Sequence, residues 1–353
     1  MTTSATAQDP IRIGLNGFGR IGRSVTRAAL TYPGVDIVGI NDIMETDDMR
    51  YLLQHDSVMG RLPNVAVDEH DLVVDGHRMR VAHERSPDRL PWDDLDVDVA
   101  LECTGIFRTY EEASDHLSAG ARKTLISAPP RGETPVPQIV YGANHARYAG
   151  EDVVSNASCT TNSVAPVAKV LDERFGIDRG LLTTVHAYTS TQELVDGASG
   201  KRRRGRAAAE NIIPTTTGAA RATTEVLPEL AGKLDGMAMR VPVPNGSITD
   251  MTLSLADDVG RTAVNGALTE AAEHELAGVL GCTNEEIVSR DVIGLPYSAL
   301  VDLSSTMAFD DGFVKVLAWY DNEFGFAQRM LDVSTLMATG DAAPDRAALA
   351  GAH

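Results

Sequence analysis

Between Ile11 and Asp42 the chain reads as strand, glycine turn, helix, strand and acid, and that order leaves few folds open. Ile11–Asn16 is a short apolar strand. Gly17-Phe18-Gly19-Arg20-Ile21-Gly22 follows it and opens a helix over Arg20–Leu30, with Ile21, Val25 and Ala28 near helical spacing. Val35–Asn41 is a second strand, and so compact a strand–helix–strand unit argues for a parallel sheet. In G-x-G-x-x-G the first glycine permits the tight turn, the second lets backbone approach a pyrophosphate, and the third lets helix pack on strand. The helix N-terminus offers free N–H groups to the phosphates. Asp42 stands twenty residues beyond Gly22, where a carboxylate binds ribose hydroxyls and repels a 2′-phosphate. A dinucleotide-binding α/β domain follows from this segment.

Further along, Leu72–Val81 holds the hairpin turn Asp75-Gly76. Val97–Cys103, Lys123–Ala128 and Gln138–Tyr141 read as strands, with a helix over about Tyr110–Ala119. After Val153–Asn156 the strands lengthen: Leu181–Tyr188, Met237–Val243, Ile248–Leu255 and Phe313–Tyr320. Helices are expected over about Ala263–Leu276 and Glu323–Met337, and a frayed tail from Gly340. Thr189–Pro214 has little periodicity and holds a basic cluster. Connections of that length are usually functional or lie at subunit contacts. At about 100–200 residues per domain, 353 residues fit two domains.

Charge narrows the partners. Asp+Glu is 50 and Lys+Arg is 31, a net charge of −19, with 31 Asp, 19 Glu, 5 Lys and 26 Arg. So acidic a surface does not bind nucleic acid generally. Few lysines and many carboxylates suit a salt-rich cytoplasm, where screening suppresses self-repulsion. A GC-rich genome, which favours Arg over Lys, is the rival explanation. No run approaches the roughly 18 apolar residues of a membrane span, and Met1–Pro10 has no basic-then-apolar leader. Three dispersed cysteines, Cys103, Cys159 and Cys282, fit neither a disulfide framework nor a zinc site, so no metal is expected and the cytoplasm is.

Two residues carry reactive chemistry in a suggestive context. Cys159 follows the end of a strand near Ser158 and precedes a helix from Thr160 to about Phe175, with Pro166 tolerated in its first turns. A helix N-terminus favours thiolate. His186 sits at the apolar end of a strand. Taken alone, each is more often a packed core residue than a catalytic one.

Taken together the motifs are specific. NGFGRIG, SNASCTTN, TVHAYT, IIPTTTGAA, MAMRVPVPN and WYDNEFG occur in this order from about residue 11 to residue 337. The chain thus resembles the phosphorylating glyceraldehyde-3-phosphate dehydrogenases. The resemblance implies a Rossmann-type α/β dinucleotide-binding domain over residues 1–158, rejoined by the helix at about 321–337. It implies an α+β catalytic domain with a mixed or antiparallel sheet over 159–320, and a tail over 338–353. It implies Cys159 as nucleophile and His186 as acid–base. It carries Gly17, Gly19, Arg20, Ile21, Gly22, Asp42, Arg85, Thr104, Ser127 and Asn322 to NAD. Thr189 and Arg240 would hold the substrate phosphate. Ser158, Thr160, Thr217, Gly218 and Arg204 would hold the attacking inorganic phosphate, although spacing alone leaves Arg203, Arg204 and Arg206 equivalent. A homotetramer acting on glyceraldehyde 3-phosphate is implied, with the Lys201–Arg206 cluster at a subunit interface instead of on nucleic acid.

The sequence departs from the pattern in three places. Ser163 replaces a second cysteine, so an easy local disulfide is lost. Phe326 replaces a tyrosine. Gly197-Ala198 lack the serine that helps other members admit NADP, which with Asp42 favours NAD. Erythrose-4-phosphate dehydrogenase on the same scaffold is the nearest rival activity, and a non-catalytic RNA-binding protein is the rival of another class.

Overall fold

The computed structural model describes residues 9–341. The polar lead before Asp9 and the end of the tail lie outside the described residues. The chain divides into two compact units, the first running to Pro137 and taking in Tyr148–Asn156 and the chain from Met330, the second holding Gln138–Arg147 and Ala157–Arg329.

The first unit is built in the order β1 (Ile11–Asn16), α1 (Arg20–Ala29), β2 (Val35–Asn41), α2 (Thr46–Gln54), the two-residue pair β3 (His55–Asp56) and β4 (Gly60–Arg61), then β5 (Val65–Asp68), β6 (Asp71–Val74), β7 (His77–Ala82), β8 (Val99–Glu102), α3 (Tyr110–Ser118), β9 (Lys123–Ile126) and β10 (Val153–Ser155). Its sheet has the order β10-β9-β8-β1-β2-β7-β6-β5. Pairing is parallel from β10 to β7 and antiparallel from β7 to β5. All four residues of β8 are buried, as an inner parallel strand covered on both faces requires. Thr109 and Glu112 form a reciprocal capping box at the start of α3.

The second unit comprises α4 (Cys159–Phe175), β11 (Ile177–Ala187), β12 (Ile213–Thr216), α5 (Ala219–Val226), β13 (Leu234–Val241), β14 (Ser247–Leu255), α6 (Arg261–Glu273), β15 (Leu280–Thr283), β16 (Ala299–Asp302), β17 (Met307–Ala308) and β18 (Phe313–Tyr320); α7 (Phe324–Thr339) begins in this unit and ends in the first. The sheet is mixed, in the order β12-β13-β11-β14-β18-β16-β15. Burial alternates residue by residue along β14, the signature of one covered face. Leu182, Met251, Leu253, Val314 and Val316 form a core with Val164, Val167 and Leu171 of α4 and Leu268 of α6. Leu181, Met237 and Phe313 are exposed on the other face.

Several expectations need adjusting. Gln138–Tyr141 is not a strand; Gln138 makes only an isolated bridge. The strand before Cys159 ends at Ser155. Pro166 lies in the middle of α4, beyond the first two turns. An interior proline costs about 3 kcal/mol, and the burial of residues 160–168 holds the helix through it. Thr189–Pro214 is irregular but closed on itself. Gly197 N–H donates to Gly205 O (2.8 Å), Ala208 N–H to Glu193 O (3.0 Å), and Arg206 pairs with Asp196. Among the described residues no helix is long and apolar enough to cross a membrane.

Candidate active site

In the first unit the strand order reverses between β1 and β8, the place where open α/β sheets receive ligands. A cleft of about 320 Å³ lies there, lined by Gly17, Gly19, Asp42, Arg85 and Thr104, and also by Asn16, Asn41, Glu84 and Cys103. Gly17 has φ +96°, and a Cβ on it would lie 2.6 Å from Thr104 N. A Cβ on Gly22 would lie 2.1 Å from Gly17 O, so the turn and α1 close only on glycine. Gly19 differs: an added Cβ would meet no protein atom within 4 Å. Packing does not require glycine there, whereas the approach of a pyrophosphate does. Arg20 and Ile21 open α1, and the Arg20 guanidinium turns to Asp56. Asp42 accepts from Phe18 N–H at 2.6 Å and Met44 N–H at 3.1 Å, which orients it and leaves acceptor capacity for hydroxyls. These residues fit NAD.

Two expected cofactor residues stand apart from that lining. Ser127 follows β9, and its N–H donates to Glu102 O at 3.0 Å. Asn322 belongs to the second unit, between β18 and α7, where its Oδ1 accepts from Ser247 Oγ at 2.7 Å.

In the second unit Ser158 caps α4, accepting from Thr161 N–H at 3.1 Å, and Cys159 is the first helical residue. Cys159 Sγ lies 3.4 Å from His186 Nε2. His186 Nδ1 donates to Ala187 O at 2.7 Å, so Nε2 is the nitrogen that exchanges a proton with sulfur. Burial, followed by the Arg240 guanidinium, lowers the imidazole pKa to about 3. Burial pushes the Cys159 thiol up, while Arg240 and the Thr160 hydrogen bonds oppose the rise. His186 thus gives up its second ring proton below the usual histidine range, and Cys159 its thiol proton above the usual thiol range. Across neutral pH one proton lies between Sγ and Nε2.

Two guanidinium centres flank the pair. Parallel pairing sets His186 of β11 beside Arg240 of β13. Arg240 Nη1 donates to Ala187 O (2.9 Å) and to Thr189 Oγ1 (3.3 Å), so the expected substrate-phosphate residues meet. Arg204 Nε donates to Thr215 Oγ1 (3.0 Å) and Nη2 to Thr216 O (3.4 Å), next to Thr217 and Gly218 at the start of α5. Arg204 acts electrostatically on both His186 and Arg240. Arg206 spends its guanidinium on Asp196. Of the three arginines left equivalent by spacing, Arg204 is the one beside Thr215–Gly218 and in electrostatic reach of the histidine.

Sequence reasoning missed Tyr320. Its hydroxyl bonds Thr160 Oγ1 (3.0 Å) and Thr184 Oγ1 (2.8 Å), and its ring meets His186 edge-on with centroids 6.0 Å apart. The available signal was its place in WYDNEFG. Ser163, where others have cysteine, is fully buried with no partner for its hydroxyl.

A Rossmann-type cleft with glycines at the turn and an acid at the end of β2 defines a dinucleotide-binding protein. Residues 11–110 match the NAD binding domain of glyceraldehyde 3-phosphate dehydrogenase, and residues 158–322 match its C-terminal domain. Glyceraldehyde-3-phosphate dehydrogenase of Haloarcula vallismortis is 63% identical over 328 residues, covering 92% of this chain and 98% of the relative. The enzyme of that name from Geobacillus stearothermophilus is 49% identical over 332 residues, 93% of this chain and 98% of its own. Glyceraldehyde-3-phosphate dehydrogenase A of Escherichia coli K12 is 49% identical over 325 residues, 92% and 98% respectively. The chain belongs to the glyceraldehyde-3-phosphate dehydrogenase family.

Proposed function

We propose that this chain oxidises and phosphorylates D-glyceraldehyde 3-phosphate to 1,3-bisphosphoglycerate through a thioester on Cys159. Membership of the family makes it an NAD-dependent oxidoreductase of glycolysis. The 3.4 Å contact between Cys159 and His186, flanked by Arg240 and Arg204, carries the residue assignment. Cys159 adds to the aldehyde carbon, and the new C–O⁻ takes up a proton to give a hemithioacetal. His186 Nε2 then removes the hydroxyl proton, which drives electron density back toward carbon. NAD, when bound, accepts the hydride that leaves this carbon. Inorganic phosphate attacks the resulting thioester carbonyl, the C–S bond breaks, and Cys159 returns as thiolate with the acyl phosphate released. Arg240 and Thr189 hold the substrate phosphate. Arg204, Thr217, Gly218, Ser158 and Thr160 hold the attacking one, since guanidinium, hydroxyl and helix N–H are the donors a phosphate needs.

Residues 1–158 with the helix at about 321–337 serve as the NAD domain, with Gly17, Gly19, Arg20, Ile21, Gly22, Asp42, Arg85, Thr104, Ser127 and Asn322 on the cofactor. Residues 159–320 serve as the catalytic domain. The exposed Leu181, Met237 and Phe313 and the long 189–214 loop support a homotetramer, and the absence of any cysteine framework supports the cytoplasm. The deciding experiment is an initial-rate assay with NAD and NADP, with and without phosphate, on glyceraldehyde 3-phosphate and erythrose 4-phosphate. Activity independent of phosphate, or faster on the four-carbon sugar, refutes the reading.

A further inference from the structure

The first unit buries a carboxylate that the reaction does not use. Glu102, the last residue of β8, has no exposed surface. Its Oε1 accepts from Thr104 N–H at 2.8 Å and from the Thr104 hydroxyl. Its Oε2 accepts from Asn16 Nδ2 at 2.6 Å and from His116 Nε2 at 3.2 Å. The direction of the last bond is set by a neighbour. Trp92 Nε1–H can only donate, and it donates to His116 Nδ1 at 3.0 Å, so a neutral imidazole carries its proton on Nε2. His116 is itself fully buried.

The chain of bonds continues across the sheet. Asn16 Oδ1 accepts from Asn41 Nδ2 at 2.7 Å. Asn41 Nδ2 also donates to Glu84 O (3.0 Å), and Asn41 Oδ1 accepts from Glu84 N–H (2.8 Å). Glu102, Asn16 and Asn41 are the last residues of β8, β1 and β2, which are neighbours in the sheet. Thr104 and Glu84, at the two ends of this network, both line the NAD cleft, whereas Glu102 and His116 do not.

We propose that Glu102 is a positioning residue for NAD: its buried carboxylate, oriented by His116 and Trp92, holds the Thr104 and Glu84 walls of the cleft in the receiving geometry before the cofactor arrives. A carboxylate suits the position because three of its four partners, Asn16 Nδ2, Thr104 N–H and His116 Nε2–H, can only donate. A glutamine would set its NH₂ against at least one of them, and flipping the amide only moves the conflict. Preorganised walls spare the cofactor the cost of ordering them.

The inference rests on the cleft being the NAD site, and the test separates the two. Full-length enzyme is titrated with NAD by calorimetry, assayed with each substrate varied in turn, and alkylated at Cys159 without NAD. In Glu102→Gln the Kd and KM for NAD rise about tenfold. KM for aldehyde and for phosphate, and the alkylation rate, stay within about twofold. His116→Gln, whose amide can donate to Glu102 and accept from Trp92, keeps wild-type affinity for NAD, and His116→Leu loses it about as Glu102→Gln does. The His116 pair carries the test if Glu102→Gln fails to fold. Asp42→Ala serves as the reference. No effect of Asp42→Ala on NAD overturns the cleft assignment and the inference with it. A weakened Asp42→Ala beside an unchanged Glu102→Gln, or beside equal His116→Gln and His116→Leu, overturns the inference alone. Parallel losses in every KM and in alkylation make Glu102 merely structural and also overturn it.

Discussion

His186 and Arg240 stand beside each other on the parallel strands β11 and β13 and donate to one acceptor, the carbonyl of Ala187, at 2.7 and 2.9 Å. Arg240, proposed for the substrate phosphate, therefore also acts on the protons of Cys159 and His186, second to burial. Its positive charge favours negative sulfur and opposes positive imidazole. Burial, and after it this charge, resists addition of a second proton to the imidazole far into acid.

That resistance sets a pH profile. Alkylation of Cys159 should hold a plateau through neutral pH, fall only below the usual histidine range near 6.5 and rise above the usual thiol range near 8.5. His186→Asn should remove the acid step and lower turnover by roughly 10²–10⁴-fold. Folding weakens proton binding at His186, so between pH 6.5 and about 3 the unfolded chain binds more protons there and stability falls as pH falls. The slope from this one group is at most about 1.4 kcal/mol per pH unit, and His186→Asn should flatten acid unfolding by that amount. A single alkylation step near pH 8.5 in the wild type would show that the pair does not share a proton.

The nucleophile should be unique. Cys159→Ser should abolish oxidation, because a serine hydroxyl at neutral pH lacks thiolate reactivity. Burial pushes the Cys103 thiol far up and that of Cys282 up to about 11, so Cys103→Ser and Cys282→Ser should keep most of the rate. More than a few per cent of activity in Cys159→Ser would refute the mechanism.

The two arginines should separate kinetically. Arg240→Leu should raise KM for the sugar phosphate at least tenfold and move the upper alkylation step upward. Arg204→Leu should raise KM for inorganic phosphate by a similar factor. Arg206→Leu, whose partner Asp196 is an exposed carboxylate, should change either by less than about threefold. A larger phosphate effect at Arg206 than at Arg204 would reverse the assignment.

Cofactor choice should follow charge. Asp42→Ala removes the acceptor for ribose hydroxyls and the repulsion against a 2′-phosphate, so the NADP-to-NAD ratio of kcat/KM should rise. Wild-type enzyme that uses both equally would show that Asp42 is not the discriminator.

Salt should support both activity and assembly. The net charge of −19 repels itself and the anionic substrates over a Debye length of about 10 Å at 0.1 M. At 1 M salt that length is about 3 Å, so only local groups such as Arg204 and Arg240 are felt. Activity and sedimentation should persist in molar KCl and decline on dialysis to dilute buffer, more slowly with NAD present. Full activity held indefinitely at 50 mM salt would make the acidic composition genomic drift.

Legibility in the sequence followed locality. The Gly17–Gly22 turn, Asp42, the helix start beside Cys159 and the strand at Ile248–Leu255 depend on residues within a turn or a strand of one another. Each was readable because backbone sterics and side-chain period act over that range. The register that sets Arg240 beside His186 was not readable, since it joins strands 54 positions apart and no local pattern encodes pairing across such a crossover. The same holds for Tyr320, which crosses to Thr160 and Thr184, and for Glu102, which reads in sequence as the charged end of a short strand. Spacing left Arg203, Arg204 and Arg206 equivalent, because guanidinium groups are chemically alike until the folded loop sets Arg206 against Asp196 and Arg204 against Thr215. Sequence alone determined the nucleotide turn, the reactive residue types and, through motif order, the family. Tertiary structure alone decided which charges act on which protons, because electrostatic reach is measured through space and not along the chain.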